Sequence, residues 1–283
     1  MLRALFVSSR PLSWVNTAFP FAAAYVLTAG VDVTLVIGTL YFLVPYNLAM
    51  YGINDVFDYE SDLRNPRKGG VEGAVLDRSM HRPTLIAVVV TNVPFLVYLV
   101  AVGSPLSWLV LGLSVFAVIA YSAKGLRFKE KPFLDSITSS THFVSPAVYA
   151  LVLAGAIFTP QLWAVLGAFF LWGAASHAFG AVQDVIADRE GGLASVATVI
   201  GARATVRLSV VLYLLAGALL LLSAWPGQLA ALLAIPYAVS CAVYWNITDA
   251  EAESANRGWK RFLWLNFATG FCVTVLLIAS VLL

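Results

Sequence analysis

Apolar runs of about twenty residues recur from one end of the chain to the other, and this recurrence restricts the fold more than any other feature. A bilayer core about 30 Å thick is crossed by about twenty helical residues, and only helices or closed barrels satisfy their backbone polar groups there. The 283 residues are 60% hydrophobic and 11% charged, with a mean hydropathy of +0.86. An all-α, polytopic membrane helix bundle is expected. Runs near 12–30, 34–54, 83–102, 105–122, 136–157, 161–182, 204–223, 227–246 and 261–282 predict about nine transmembrane helices. The connections are short, without linker or low-complexity tract, so one integral membrane domain is expected over residues 1–283. The start, "MLRALFVSSRPLSW", carries no signal-peptide cleavage pattern and continues into a full span, so no segment is expected to be removed. Cys241 and Cys272 both fall inside spans, as small apolar residues rather than redox or metal groups.

Charge then orients the bundle. With a cytoplasmic N terminus, all 17 Lys and Arg residues fall on one side of the membrane, while the opposite loops "GVDV", "VGSP", "AIFTPQ" and "SAWPGQ" hold none. The positive-inside rule makes the charged face cytoplasmic, and the cell membrane the expected location. Nothing in this pattern suggests nucleic acid; the expected partner surface is lipid.

The acids do not obey that rule, yet every one except Asp32 lies on the same face. Scattered pairs such as Glu251 and Glu253 read as solvated loop. Two clusters do not. In "NDVFDYESD", Asp55, Asp58 and Asp62 are spaced by three and four, so a continuing second helix stacks three like charges on one side of its cytoplasmic end. In "AVQDVIADRE", Asp184 and Asp188 repeat the i, i+4 arrangement at the end of the sixth helix. Paired carboxylates suit a hard divalent cation, because Mg2+ takes oxygen ligands and shares its coordination with waters and substrate phosphates. Bases flank both clusters: Arg64, Arg67 and Lys68 after the first, Arg189 within the second, and "YSAKGLRFKEK" from the fourth connection. Metal, carboxylates and bases together fit a diphosphate bridged by Mg2+.

These residues carry a resemblance. Asn54 to Asp62 reads N-D-x-x-D-x-x-x-D and Asp184 to Asp188 reads D-x-x-x-D, which together resemble the paired signatures of the UbiA superfamily of intramembrane prenyltransferases. Within it, "YGINDVFDYESDLRNPRKGGVEGAV", "FKEKPFLDSITSSTHF", "GAVQDVIADRE" and "YWNITDAEAESANRGWKRFLWLN" are similar to bacterial lycopene elongases of C50 carotenoid pathways. One departure stands out. Many members carry Y-x-x-x-K after the fourth helix, whereas here Tyr121 is followed by Lys124 and Arg127, with Gly125 at the expected place. The resemblance implies two Mg2+ ions held by Asp55, Asp58, Asp62, Asp184 and Asp188, with Asn54, Arg10, Arg67, Lys68, Tyr121, Lys124, Arg127, Arg189 and His177 as substrate-binding candidates. It implies ionisation of an allylic diphosphate, dimethylallyl diphosphate being the expected donor, and attack by the terminal alkene of lycopene to give C45 and C50 products. The resulting tertiary cation loses a proton or captures water.

Polar residues inside the spans need their own account. His177 lies seven residues before Asp184, on the same helix face, and reads either as a cavity-lining proton acceptor or as a packing histidine. Asn47, Ser139, Ser140, Thr141 and His142 read mainly as helix-to-helix hydrogen bonding. Arg10, before Pro11, reads equally as diphosphate contact and topology anchor, and Tyr51 and Phe57 as aromatic faces for a cation. Trp172, Phe179 and the small residues Gly173, Ala174, Ala175 and Gly180 are expected to give a cavity apolar walls. Three other functions compete. An aromatic quinone precursor is an alternative acceptor. A cation-coupled carrier would place its acids near the midplane, and a CDP-alcohol phosphotransferase would carry D-G-x-x-A-R, which is absent.

Overall fold

In the computed structural model, the structure describes residues 1–63 and 75–283, and all regular structure among them is helical. Fourteen α-helices follow in order: α1 Leu2–Ser8, α2 Val15–Ala29, α3 Val33–Leu43, α4 Pro45–Phe57, α5 Tyr59–Asp62, α6 His81–Ala101, α7 Pro105–Ser122, α8 Leu134–Leu153, α9 Pro160–Val182, α10 Val185–Glu190, α11 Val196–Ile200, α12 Ala202–Leu220, α13 Ala234–Ala242 and α14 Asn256–Leu282. Local chemistry sets several starts. Ser104 and Thr159 cap α7 and α9 through their hydroxyls, each followed by a proline at the first helical position, where no N–H is needed. Asp32, the one acid expected off the charged face, caps α3: Oδ1 accepts from the Leu35 N–H at 2.8 Å, and Oδ2 from the Tyr25 hydroxyl at 2.9 Å. The Leu35 N–H, more than Tyr25, holds this carboxyl below its ordinary pKa.

Among the described residues six segments are long and apolar enough to cross a membrane: Val33–Phe57, Arg78–Ala101, Pro105–Ser122, Pro160–Val182, Ala202–Leu220 and Asp249–Leu282. The other three expected spans are helical but fall short of those criteria. The run at 12–30 yields α2, only 15 residues long. The run at 227–246 yields a 3-10 segment and the nine residues of α13. The 20 residues of α8 carry Asp135 and the polar stretch through His142, which lowers their hydropathy.

The expected second span is two helices. Pro45 lacks an N–H, so the chain breaks at Val44, between α3 and α4. Asn47, wholly buried, repairs the break: its Nδ2 donates to the carbonyls of Phe42 at 2.8 Å and Leu43 at 3.1 Å, and to the Thr17 hydroxyl at 2.7 Å. Asn47 therefore belongs to packing, in line with its reading as a hydrogen-bonding residue between helices.

The chain divides into two compact units, residues 1–128 with 141–157, and residues 129–140 with 158–283. The first has an aromatic core of Phe21, Tyr41, Phe42, Tyr46 and Tyr149. A Cβ on Gly38 would run into the Phe21 ring, so α2 and α3 approach more closely than any larger residue permits. The second packs Val182, Val206, Tyr213, Tyr237 and Phe262. Phe179, Ala174 and Ala175, expected as cavity walls, are buried in this unit, and Gly173 lies against Ser140. Trp172 stacks on Phe262 at 5.8 Å, and Gly180 faces Trp259.

Candidate active site: carboxylate pairs at two helix breaks

In the first unit the helix carrying the signature does not continue as expected. It stops at Phe57, Asp58 takes φ −99° and ψ 0°, and the four residues of α5 follow. The i→i−4 bonds survive the break: Asp58 N–H donates to the Asn54 carbonyl at 2.9 Å, and Asp62 N–H to the Asp58 carbonyl at 2.8 Å. In the second unit α9 stops at Val182, Asp184 takes φ −98° and ψ −2°, and Asp188 N–H donates to the Asp184 carbonyl at 2.8 Å. Each unit thus presents the same device, an aspartate at the end of a long helix and a second one turn later on a short helix. The sequence spacing announced the pairs, but the shared break is visible only in three dimensions.

The first pair is the more buried. Asp55 is 1% exposed, and Asp58 and Asp62 are each 6% exposed. Charges so buried require partners. Asn54 Nδ2 donates to Asp58 Oδ2 at 2.5 Å and to Ser122 Oγ at 2.9 Å. Arg127 Nη2 lies 3.7 Å from Asp58 Oδ1, and its Nη1 donates to the Phe57 carbonyl at 3.4 Å. Asp55 accepts from Ser8 Oγ at 2.8 Å and from Arg10 Nη2 at 3.0 Å, and the Arg10 guanidinium lies 4.4 Å from the Tyr51 ring centroid. Tyr51 thus carries Arg10, and Phe57 is exposed.

The place of the missing lysine after α7 is a turn. The turn is made by Gly125 at φ +92° and Arg127 at φ +41°, which leaves Lys124 exposed and turns Arg127 toward Asp58. Tyr121 lies edge-on to His142, ring centroids 5.2 Å apart. Arg67 and Lys68 lie outside the described residues.

Asp184 and Asp188 are half-buried. Arg189, expected to meet substrate, donates through Nη1 to Asp249 at 2.6 Å and through Nη2 to the Thr198 carbonyl at 2.8 Å, tying α10 to α11 and the segment before α14. His177 pairs through Nδ1 with Ser136 Oγ at 3.2 Å. The neighbouring Asp135, which sequence reasoning passed over, is wholly buried and accepts from the N–H groups of Ser136 at 2.7 Å and Val196 at 2.8 Å. Ser8, Ser122 and Ser136 were likewise missed, since a single serine carries no signal without its partner.

Among the described residues no three His, Cys, Asp or Glu side chains already form a metal cage. The donor set nonetheless fits Mg2+, which takes one or two carboxylates from protein and the rest from waters and substrate phosphates.

The comparisons agree with this chemistry. The model of the UbiA prenyltransferase family matches residues 17–268. The chain is 57% identical over 279 residues to the lycopene elongase/hydratase of Corynebacterium glutamicum, covering 98% of this chain and 97% of that protein. It is 64% identical over 284 residues to the C(50) beta-cyclic carotenoids biosynthesis protein LbtBC of Dietzia sp., and spans 66% of that protein's length. In fold it is similar to a UbiA homolog from Archaeoglobus fulgidus bound to DMAPP and Mg2+, with a TM-score of 0.70 at 18% identity, covering 94% of this chain and 98% of that one. With a family match across most of its length and the paired aspartates that this chemistry uses, the chain is a multi-pass membrane protein that belongs to the UbiA prenyltransferase family.

Proposed function

We propose that the protein transfers dimethylallyl groups from dimethylallyl diphosphate to the ends of lycopene, giving C45 and then C50 carotenoids. The observation that carries this reading is the 57% identity, over nearly the whole of both chains, to a protein named lycopene elongase/hydratase. The family match runs across both units, which supports treating residues 1–283 as one prenyltransferase domain. The one-sided bases support a cytoplasmic membrane location with the N terminus and the carboxylates on the cytoplasmic face.

Asp58 and Asp62 in one unit, and Asp184 and Asp188 in the other, would offer oxygen donors to Mg2+. When bound, Mg2+ offsets the charge of the diphosphate and lowers the cost of its departure. Arg127 and Arg10 supply guanidinium donors to the same anion. The allylic C–O bond breaks with its electron pair leaving on the diphosphate. The terminal alkene of lycopene then forms the new C–C bond, which leaves a tertiary cation on the acceptor. That cation loses a proton, which His177 takes while Ser136 holds its Nδ1, or it captures water. Apolar helix faces keep other water from the allyl cation.

Membranes containing the protein, supplied with lycopene, dimethylallyl diphosphate and Mg2+, are expected to yield C45 and C50 products, with 4-hydroxybenzoate and dihydroxynaphthoate left unprenylated. If an aromatic acid is consumed and lycopene is not, the acceptor assignment falls and the prenyltransferase assignment stands.

A further inference from the structure

Asp55 stands apart from the other four aspartates. It lies within regular α4 rather than at the break, and the residue three before Asp184 is Ala181, so the second pair has no counterpart to it. Both of its oxygens are hydrogen-bonded, Oδ2 by Ser8 Oγ and Oδ1 by Arg10 Nη2. Tyr51 and Asp55 are four residues apart on α4, one face of the helix, and together they hold one guanidinium by its plane and its edge. Arg10 adopts a left-handed φ of +50°, a conformation that a side-chain-bearing residue keeps only where its surroundings impose it. Its neighbours explain the imposition: Ser8 ends α1, Trp14 Nε1 donates to the Ser9 carbonyl at 3.0 Å, and the turn Pro11–Ser13 begins directly after. Among the described residues the guanidinium is hydrogen-bonded through Nη2, Nε is buried without a partner, and the Arg10 side chain is 20% exposed, so donors remain for an anion.

We infer that Asp55 is a positioning residue rather than a metal ligand: it is the buried counter-ion that clasps Ser8 and Arg10 onto the Tyr51–Asp55 face of α4 and so fixes the Arg10 guanidinium for the diphosphate. The role of Arg10 toward the diphosphate rests on the function proposed above; the clasp does not. Two consequences separate this from metal ligation. The metal affinity is independent of Asp55, and the effects of Asp55 and Arg10 on KM are not additive, because Asp55 acts on the diphosphate through Arg10.

The test uses the full chain purified in detergent, as Asp55→Asn, Arg10→Gln, the double variant and Asp58→Asn. Mn2+ binding is followed by loss of the free-ion EPR signal on adding protein with no diphosphate present, alongside kcat, KM for dimethylallyl diphosphate, and thermal unfolding. Asp55→Asn and Arg10→Gln are expected to bind Mn2+ within about twofold of the parent and to raise KM by about tenfold to a hundredfold, with a smaller change in kcat. The double variant is expected to be no worse in KM than either single one, and to unfold at a higher temperature than Asp55→Asn, in which a guanidinium loses its counter-ion. Asp58→Asn is expected to lose Mn2+ binding. Loss of Mn2+ binding in Asp55→Asn to the same degree, or multiplication of the two KM effects in the double variant, overturns the inference. If Asp55→Asn does not fold, a double variant that also fails, beside a normal Arg10→Gln, overturns it as well. A parent protein that neither binds Mn2+ nor turns over removes the proposed function instead, and the stabilities of the four proteins still decide the clasp.

Discussion

Asp58 and Asp184 occupy equivalent backbone positions, φ near −99° and ψ near 0°, each one turn before a second aspartate. If the two pairs serve one diphosphate, neither tolerates loss of charge. Asp58→Asn and Asp184→Asn are each expected to lower kcat by about 10²- to 10³-fold, the usual cost of one preorganised electrostatic partner, in protein that remains folded. Near-normal turnover in either variant rules out joint action. The bases divide differently from their spacing. Arg127 reaches Asp58 whereas Lys124 is exposed, so Arg127→Ala is expected to raise KM for the diphosphate about tenfold or more, and Lys124→Ala to leave it within about twofold. Steady-state kinetics on the two variants checks this directly.

Among the helices, close approach depends on what is absent. A Cβ on Gly173 of α9 would lie 2.5 Å from Ser140 Oγ and 3.2 Å from Ser140 Cα, and the second of these is backbone that cannot turn away. Gly173→Ala is therefore expected to cost about 1–3 kcal/mol by overpacking, read as an earlier thermal unfolding in detergent. The break between α3 and α4 makes the opposite demand. Asn47→Leu preserves size but removes the amide that meets the Phe42 and Leu43 carbonyls and the Thr17 hydroxyl. A loss of about 1–3 kcal/mol is expected, because buried acceptors lose a donor, although the Phe42 carbonyl keeps that of the Thr17 hydroxyl at 2.7 Å. A variant as stable as the parent contradicts this account of the break.

Across the whole molecule the bases predict orientation. In a variant lacking Cys241 and Cys272, single cysteines near 128 and 254 are expected to react from the cytoplasmic side, and those near 32, 104 and 226 from the other. Labelling of 128 from outside refutes the register of the spans. Asp32 sharpens the point, because its carboxylate caps α3 and so has a structural reason to sit away from the other acids.

What was legible in the sequence is what adds up locally along the chain. Membrane insertion is a sum of transfer free energies over about twenty neighbours, and an i, i+4 pair of aspartates lies within one turn, so the all-α membrane class, the two carboxylate pairs and the family resemblance needed no coordinates. The exact number of spans was not legible, since polar residues in α8 and the break between α3 and α4 are tolerated only where neighbouring helices satisfy them. Which charge meets which was not legible at all. Arg10 finds Asp55 across 45 positions and Arg189 finds Asp249 across 60, while a choice between Lys124 and Arg127 turns on two left-handed residues in one turn. A buried charge must be matched by whatever the fold brings beside it, and that neighbour is set by packing over distances that residue spacing does not record.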